Sequence, residues 1–343
     1  MCALPGFTST AGKAEQLSNG SVLVFWLCTS SSIPAFTDVV IALDITNPST
    51  EHDAETLNIR VDAPGVDFSL DRTMTTPAVE FLGVTDGANP FRVMPPRWAA
   101  KQISQAVPFP GAANALTLSL QSSIDLQGSD SSSITISTIT GAIIEESVVA
   151  VTVSKDGVQV EGVLFCVTGN DTVSQGSWDA VNGDLVLTVC VGEIFEAISD
   201  YALQFVVTNP EAPQLSPSIY IEASGTAEFV KEAMSRPSTA GGSAANVFGV
   251  ADGADALFVM LPALETRRIA QSNFFSGKQN LIAVTIMSNI DLASEYSSHI
   301  SICCLESAQV AGEILSIHVS GDGQLPEFCI DEAGTGGAGQ VYW

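Results

Sequence analysis

Cysteine is the residue type in this sequence whose placement most clearly predicts chemistry. Cys166 and Cys190 stand on either side of a loop that contains Trp178, and Cys329 and Cys28 stand at the equivalent positions of a second copy of this pattern. Cysteines that flank the same junction in both copies are suited to disulfide bonds, which form in oxidising compartments. We predict a Cys166–Cys190 disulfide within the chain and a Cys329–Cys28 disulfide between neighbouring chains, with four buried thiols as the alternative.

Four aspartates recur between the two copies and have the chemistry that calcium prefers. Asp86 and Asp252 lie in Asp-Gly turns, and Asp125 and Asp291 each follow the same predicted strand. Carboxylates and backbone carbonyl oxygens are calcium ligands, but an Asp-Gly pair is more commonly a turn former. We therefore expect turns here and no cofactor or metal, with Ca²⁺ as the minor alternative.

Two triplets match the acceptor pattern for N-glycosylation. They are Asn19-Gly20-Ser21 and Asn170-Asp171-Thr172, and both fall in loops next to the predicted disulfides. The Ser/Thr-rich stretches 128–133 and 235–243 are suited to O-linked sugar. Asn19 and Asn170 are therefore predicted to carry glycans if the chain passes through a eukaryotic secretory route.

Catalytic constellations are scarce in this sequence. It has no His-x-x-x-His or Cys-x-x-Cys pair for zinc, no Gly-x-Ser-x-Gly nucleophile elbow, and no Gly-rich loop between a strand and a helix. We predict that the protein is not an enzyme. The sequence suggests no role or pairing for His52, His299, His318, Cys2, Cys303 and Cys304.

The composition favours a folded, acidic, strand-rich protein. Hydrophobic residues make up 46%, chiefly Val, Ile, Leu and Phe between Ser, Thr and Gly, which is typical of strands and turns. The 38 acidic and 12 basic residues give a net charge of -26. That charge repels phosphate backbones and anionic membranes, and no apolar run reaches the roughly 20 residues that span a bilayer. We therefore expect neither nucleic-acid binding nor membrane insertion.

The sequence consists of one unit written twice. Ile103 recurs as Ile269 and Asn114 as Asn280, both 166 positions later, and the four aspartates follow the same spacing. Towards the start of each copy the spacing is 162, which relates Cys28 to Cys190 and Asn47 to Asn209. A constant spacing over this many positions indicates a tandem duplication.

Within each copy the apolar residues alternate with a period of two. The segments 39–45, 56–61, 116–120 and 133–136 are predicted strands, and eight to ten short strands per copy predict an all-β fold of two tandem, Ig-like, Greek-key β-sandwiches. The predicted division is an N-terminal segment 1–20, a first sandwich 21–181 and a second sandwich 182–343. Short helical turns are predicted near 69–74, 97–105, 228–234 and 263–271.

The two copies are out of phase with the ends of the sequence. Trp178 is followed by the predicted strand 182–190, whereas its equivalent Trp343 is the last residue given. The counterpart of that strand lies at the other end, in 19–28. Its apolar residues are Val22, Leu23, Val24, Phe25, Trp26 and Leu27. A strand supplied in trans can complete a sheet edge, and a contact that does not close on itself generates a filament. We predict that strand 21–28 is donated to the preceding subunit.

The strand patterns resemble a group of secreted repeat proteins. Phe205–Pro210, Ile219–Gly225, Leu116–Leu118 and Ser133–Gly141 are similar to repeats of large proteins of unicellular algae and related microbial eukaryotes, in which an equivalent of Trp178 recurs in each repeat. The resemblance covers nearly the whole chain. It implies an extracellular or cell-surface location and no catalytic residues, and the assembly logic is similar to that of donor-strand pili.

Two functions agree with these patterns. The first is a structural subunit of an extracellular filament whose partners are copies of itself. The alternative is a cell-surface adhesin or glycan-binding module, which exposed aromatic residues would support. Trp98, in a predicted loop, and Tyr296 are the candidates for such contacts. The duplication and the uneven ends favour the filament.

Overall fold

The computed structural model describes residues 13–16, 22–27, 31–168, 171–240, 245–293, 297–304, 314–316, 319–320 and 340–342. The chain divides into two compact units, Met1–Pro48 and Ser49–Trp343. The described residues form strands joined by turns, with one short helix α1 (Pro237–Ala240) and 3₁₀ turns at Pro64–Val66 and Gly128–Asp130. The prediction of an all-β fold is confirmed.

The first unit contains one antiparallel pair, β1 (Lys13–Gln16) with β2 (Leu23–Trp26). The predicted strand at 39–45 is wrong for the isolated chain, because these residues belong to no strand and no sheet. A strand requires a neighbour that pairs with its backbone N–H and C=O groups. No described residue supplies one to this segment.

The second unit begins with the antiparallel pair β3 (Asn58–Ala63) and β4 (Phe68–Thr73). Between Trp98 and Ala233 the described residues then form thirteen strands. These are β5 (Trp98–Gln105), β6 (Ala113–Ser122), β7 (Leu126–Gln127), β8 (Ser133–Ser137), β9 (Val148–Ala150), β10 (Thr152–Lys155), β11 (Val158–Gln159), β12 (Gln175–Asp179), β13 (Asp184–Thr188), β14 (Ile194–Phe195), β15 (Tyr201–Thr208), β16 (Tyr220–Ser224) and β17 (Phe229–Ala233).

Eleven of these strands make two antiparallel sheets that pack face to face. One sheet has the order β11-β10-β15-β6-β5, the other has the order β17-β16-β8-β13-β12-β9, and β7 pairs separately with β14. Alternate side chains of both sheets point inwards, as the period of two requires. Leu118 of β6, Phe205 of β15, Ile136 of β8 and Leu187 of β13 are buried in one shared hydrophobic core. The arrangement is a β-sandwich.

This sandwich lies across the boundary between the sequence copies. The first sheet joins β5, β6, β10 and β11, which precede residue 181, to β15, which follows it. The second sheet joins β8, β9 and β12 to β13, β16 and β17. The sandwich is therefore built from the second half of copy one and the first half of copy two. The boundary predicted at 181/182 falls in its interior.

The end of the chain repeats two of the sandwich's strand pairs. These are β18 (Leu264–Gln271) with β19 (Ile282–Ser288), and β20 (Ile314–Ser316) with β21 (Gln340–Tyr342). Ile269 lies opposite Val284 as Ile103 lies opposite Leu118, and β20–β21 repeats the register of β9–β12. The duplication in the sequence is thus a duplication of strand pairing.

The helical turns predicted near 69–74, 97–105, 228–234 and 263–271 are wrong. These segments form β4, β5, β17 and β18, each of which pairs with a neighbouring strand. Their alternation is weak in sequence, but pairing with a strand partner decides the local conformation.

Candidate assembly interface

A disulfide closes the junction between the two copies inside the sandwich. The structure joins Cys166 to Cys190, with their Cα atoms 5.2 Å apart. The backbone N–H of Cys190 donates to the carbonyl of Leu164, and the N–H of Cys166 donates to the carbonyl of Thr188, both at 2.9 Å. The disulfide therefore fixes the loop before β12 to the end of β13.

The other cysteines are placed differently. Cys28 and Cys329, the equivalents of Cys190 and Cys166, lie outside the described residues, as does Cys2, so the bond between chains stays a prediction. Cys303 and Cys304 are exposed free thiols that adjoin each other in sequence.

The covalent joint between the copies is a tight turn between β12 and β13. The carboxylate of Asp179 accepts hydrogen bonds from the side-chain amide of Asn182 and the N–H of Val181, at 2.6 and 2.9 Å. These bonds, that of Asn182 first, hold the pKa of Asp179 below its ordinary value. Gly183 supplies a φ of 69°, which a residue without Cβ adopts at no steric cost.

Trp178 is the junction residue in the centre of β12. It is buried in the sandwich core opposite Leu185, and its backbone N–H donates to the carbonyl of Ser147 at 2.8 Å. Its indole Nε1 is buried without a hydrogen-bond partner among the described residues. The equivalent Trp343 lies outside them.

The predicted donated strand exposes the pattern that its equivalent buries. In β13, Leu185 and Leu187 are fully buried, at 0% exposure. Their equivalents Leu23 and Phe25 are 41% and 47% exposed. Val22 and Leu27 are also exposed and Val24 is half-buried, while the side chain of Trp26 is not among those described. The segment is a strand in both copies but is covered in only one.

A buried amide network joins the two halves of the sandwich, and sequence reasoning gave it no role. The amide of Asn114 donates to the side-chain oxygens of Gln105 and Asn209, both at 2.8 Å. The amide of Asn209 donates in turn to the carbonyls of Val107 and Phe109, at 2.8 and 2.9 Å. Gln105, Asn114 and Asn209 are all buried. The sequence contained a sign of this network, because Asn209 and Asn114 have equivalents in the other copy, at Asn47 and Asn280.

The duplicated aspartates organise loops. The Oδ1 atom of Asp125 accepts the N–H of Ala197 at 2.7 Å, and a Cβ on Gly83 would lie 2.5 Å from that oxygen. Gly249 stands in the same relation to Asp291. The carbonyls of Asp86 and Asp252 accept the N–H three residues later in equivalent turns. No three His, Cys, Asp or Glu residues of the described ranges cluster as a metal site, so calcium gains no support from them.

The candidate glycosylation sites Asn19 and Asn170 both lie outside the described residues. Beside the second one, Asp171 accepts hydrogen bonds from the hydroxyl of Thr168 and from the N–H groups of Thr168 and Val167. These bonds, that of the hydroxyl first, lower the pKa of Asp171. Hydrogen bonds therefore join the described residues on the two sides of Asn170.

One of the two aromatic residues proposed for an adhesive surface, Trp98, is not exposed. The prediction that Trp98 lies in a loop is wrong. It lies on β5, where it is buried with its ring centre 4.9 Å from that of Phe229. Its indole packs inwards because β5 closes the edge of the core. Tyr296 lies outside the described residues. Within the described ranges, no helix is long and apolar enough to cross a membrane.

Comparisons with known proteins give only distant matches. The sequence matches no protein-family model and no curated protein. Among solved structures, it matches BcpA, the major pilin subunit of Bacillus cereus, with 13% identity and a TM-score of 0.26, over 51% of this chain and 48% of the pilin. It also matches the pilus backbone RrgB of Streptococcus pneumoniae, with 12% identity and a TM-score of 0.19, over 36% and 51%.

The chain thus spans about half the length of these bacterial pilins. At such TM-scores the likeness defines neither a shared fold nor a shared mode of assembly. Neither of these two matches is an algal or other eukaryotic protein, so they do not support that resemblance.

Proposed function

We propose that this protein is a structural subunit of an extracellular filament, in which copies join head to tail. The N-terminal strand 19–28 of one copy pairs with the C-terminal copy of the repeat in its neighbour. The observation that carries the proposal is the contrast between β13, whose Leu185 and Leu187 are buried, and the equivalent segment 22–27, whose Leu23 and Phe25 are exposed. Exposed apolar surface costs about 25 cal/mol per Å², and a contiguous patch of it marks an interaction site.

The place for this strand follows from the neighbours of β13. In the sandwich, β13 pairs with β8 on one side and β12 on the other. The equivalents of these strands in the second copy are the segment 299–303, which has no strand partner among the described residues, and β21. Residues 22–27 inserted between them would continue the sheet as β13 does, through backbone hydrogen bonds and alternate buried side chains. Each addition would leave a new open end, so the assembly would grow as a filament.

An extracellular location belongs to the same proposal. The Cys166–Cys190 disulfide favours an oxidising compartment. The net charge of -26 suits a soluble surface that binds neither nucleic acid nor anionic membrane. The role is structural and not catalytic, and glycans at Asn19 and Asn170 would decorate the outside of the fibre. The adhesin alternative has lost one of its two aromatic candidates, since Trp98 is buried.

Negative-stain microscopy of matched variants tests the proposal. The wild-type chain should form long uniform fibres after oxidative purification, and Phe25→Asp should remain dispersed because its strand can no longer enter an apolar sheet. Val181→Asp is the control, since Val181 is equally apolar but lies exposed in the turn between β12 and β13. Thermal melting of the dispersed variants checks that they are folded. Fibres from Phe25→Asp, or a wild-type chain that stays dispersed at every concentration, would refute the proposal.

A gel without reductant tests the covalent part. Wild-type fibres should give a ladder of multimers that reductant removes, and Cys28→Ser should give single chains in both lanes. A ladder that survives in Cys28→Ser would contradict the Cys329–Cys28 bond, though not the strand exchange.

A further inference from the structure

The C-terminal strands expose a whole sheet face that their equivalents bury. In β6, Leu116, Leu118 and Leu120 are at most 1% exposed. Their equivalents in β19 are 45%, 41% and 38% exposed. These equivalents are Ile282, Val284 and Ile286. Because β18–β19 keeps the register of β5–β6, the exposed side chains form the same apolar stripe. The difference is that β6 has β15 beside it and the second sheet packed on its apolar face, whereas β19 pairs only with β18 among the described residues.

The N-terminal residues expose the matching face. In β15, Tyr201, Leu203, Phe205 and Val207 are at most 3% exposed. The equivalent residues of segment 39–45 are between 52% and 56% exposed. These equivalents are Val39, Ile41, Leu43 and Ile45. The segment therefore has the sequence of an inner strand and lacks the partner that would make it one.

The amide network is also present as two separate parts. Asn280 donates to Gln271 at 3.0 Å and accepts the N–H groups of Ser272 and Asn273, as Asn114 does with its own neighbours. The sequence equivalent of Asn209 in the other copy of the repeat is Asn47, which is exposed. Polar groups of this kind are arranged for a buried environment, where each requires a partner.

We infer that two copies of this chain build a complete second sandwich between them, from the described residues between 22 and 96 of one copy, which include strand 22–27, and those between 264 and 342 of the other. This inference deepens the proposed function and rests on it: the exchanged element is half a sandwich and not one strand. The occupant of each exposed face is a second copy because the chain already contains the covered form of both faces. That covered form is the sandwich of residues 98–233.

The internal sandwich also fixes the register of the exchange. Leu203 lies opposite Leu118 and Gln204 lies opposite Thr117 in the β15–β6 pair. The equivalent pairs between two copies are Ile41 with Val284 and Ala42 with Ala283. The same pairing places Asn47 beside Asn280 and completes the amide network. Segment 39–46 then becomes a strand, since β19 satisfies its backbone groups.

Disulfide trapping in the full-length chain tests the register. Ala42→Cys/Ala283→Cys places two thiols on the outward face of the predicted pair, where the Cα separation suits a disulfide. Ala42→Cys/Met287→Cys is the control, because Met287 is four residues along the same strand, about 13 Å away. Equal amounts of unlabelled and ¹⁵N-labelled protein are mixed, oxidised and digested. Mass spectrometry then identifies the linked peptides, and microscopy records fibres in the same samples.

The expected result is a peptide pair that joins positions 42 and 283, with about half of the pairs mixed between light and heavy chains, and at least about tenfold less linkage in the control. Linked pairs that are never mixed would mean that each chain closes on itself, which overturns the inference. Fibres without the 42–283 link would overturn the inference but leave the filament standing. Dispersed chains without the link would refute both proposals.

Discussion

Strand β15 and segment 39–46 have almost the same pattern of side chains and different structures. The first lies within a sheet with its inward apolar residues buried, while the second pairs with no described strand and is exposed. Both end in Thr-Asn-Pro, so their own residues do not explain the difference. The neighbour does, because β6 is present beside β15. Alternation in a sequence thus predicts which surface a segment can bury, and a partner decides whether it becomes a strand.

The largest expected effect compares equivalent core positions. Leu118→Ala should lower the free energy of unfolding by about 4 kcal/mol, because Leu118 is fully buried and its loss leaves a cavity. Val284→Ala should leave the unfolding of the dispersed chain unchanged and raise the protein concentration needed for fibres. Urea titration and sedimentation measure the two quantities. If both variants destabilise the dispersed chain equally, Val284 is buried there as Leu118 is, and the contrast between the two positions is wrong.

The cysteines give the next largest contrast. Cys166→Ser opens a loop of 24 residues and should cost about 3 kcal/mol, because the unfolded chain gains conformational freedom. Cys28→Ser should not change the unfolding of the dispersed chain. Denaturant unfolding without reductant compares them, and wild-type protein with reductant is the control, since it should match Cys166→Ser. A loss of stability in dispersed Cys28→Ser would place its bond within the chain.

The amide network should give a smaller effect. Asn114→Ala removes the donor to Asn209 and the acceptor of two N–H groups, which should cost about 2 kcal/mol. Asn280→Ala affects only exposed groups and should change the melting temperature little. If Asn280→Ala also leaves fibre formation unchanged, the network does not extend between copies. Thermal melting and fibre yield measure the two outcomes.

The smallest effect concerns the turn at the joint. Hydrogen bonds lower the pKa of Asp179 in the folded chain. They therefore stabilise the folded chain at pH values above the ordinary aspartate pKa, about 4. This stabilisation is lost as the pH falls through the lower pKa of the folded chain. Asp179→Asn should therefore lower the melting temperature at pH 7 and approach wild type near pH 3. The same substitution at Asp38, which is exposed and whose carboxylate accepts no hydrogen bond from the described residues, is the control. A difference that is independent of pH would exclude the carboxylate as the cause.

The sequence predicted the strand-rich class and the duplication well, because both depend on local alternation and on recurrence. It did not predict that the sandwich is offset from the repeat by about half a unit. That offset depends on which half of one copy packs with which half of the other. In the structure, β15 of copy two pairs with β6 of copy one. The prediction for Trp98 was wrong for the same reason. Its ring packs against Phe229 of β17, which lies beyond the copy boundary.

The candidate site was predicted only where a chemical type recurs. Duplicated cysteines indicated a bond at the junction, and the structure contains Cys166–Cys190. Asn114 and Asn209 recurred equally well, but an asparagine at the end of a strand is usually a turn former. Their role became visible only when folding brought positions 95 residues apart into contact.

The turn at Asp179–Gly183 has a mechanical consequence for the proposed fibre. Inside each subunit this turn carries tension through peptide bonds, whereas the next joint along the fibre has no such turn and carries tension through hydrogen bonds, apolar contacts and the predicted disulfide. When a reductant opens that disulfide, strong and weak joints would therefore alternate along the fibre. Under pulling, such a fibre would separate into whole subunits, each with an intact central sandwich and two open halves ready to rejoin.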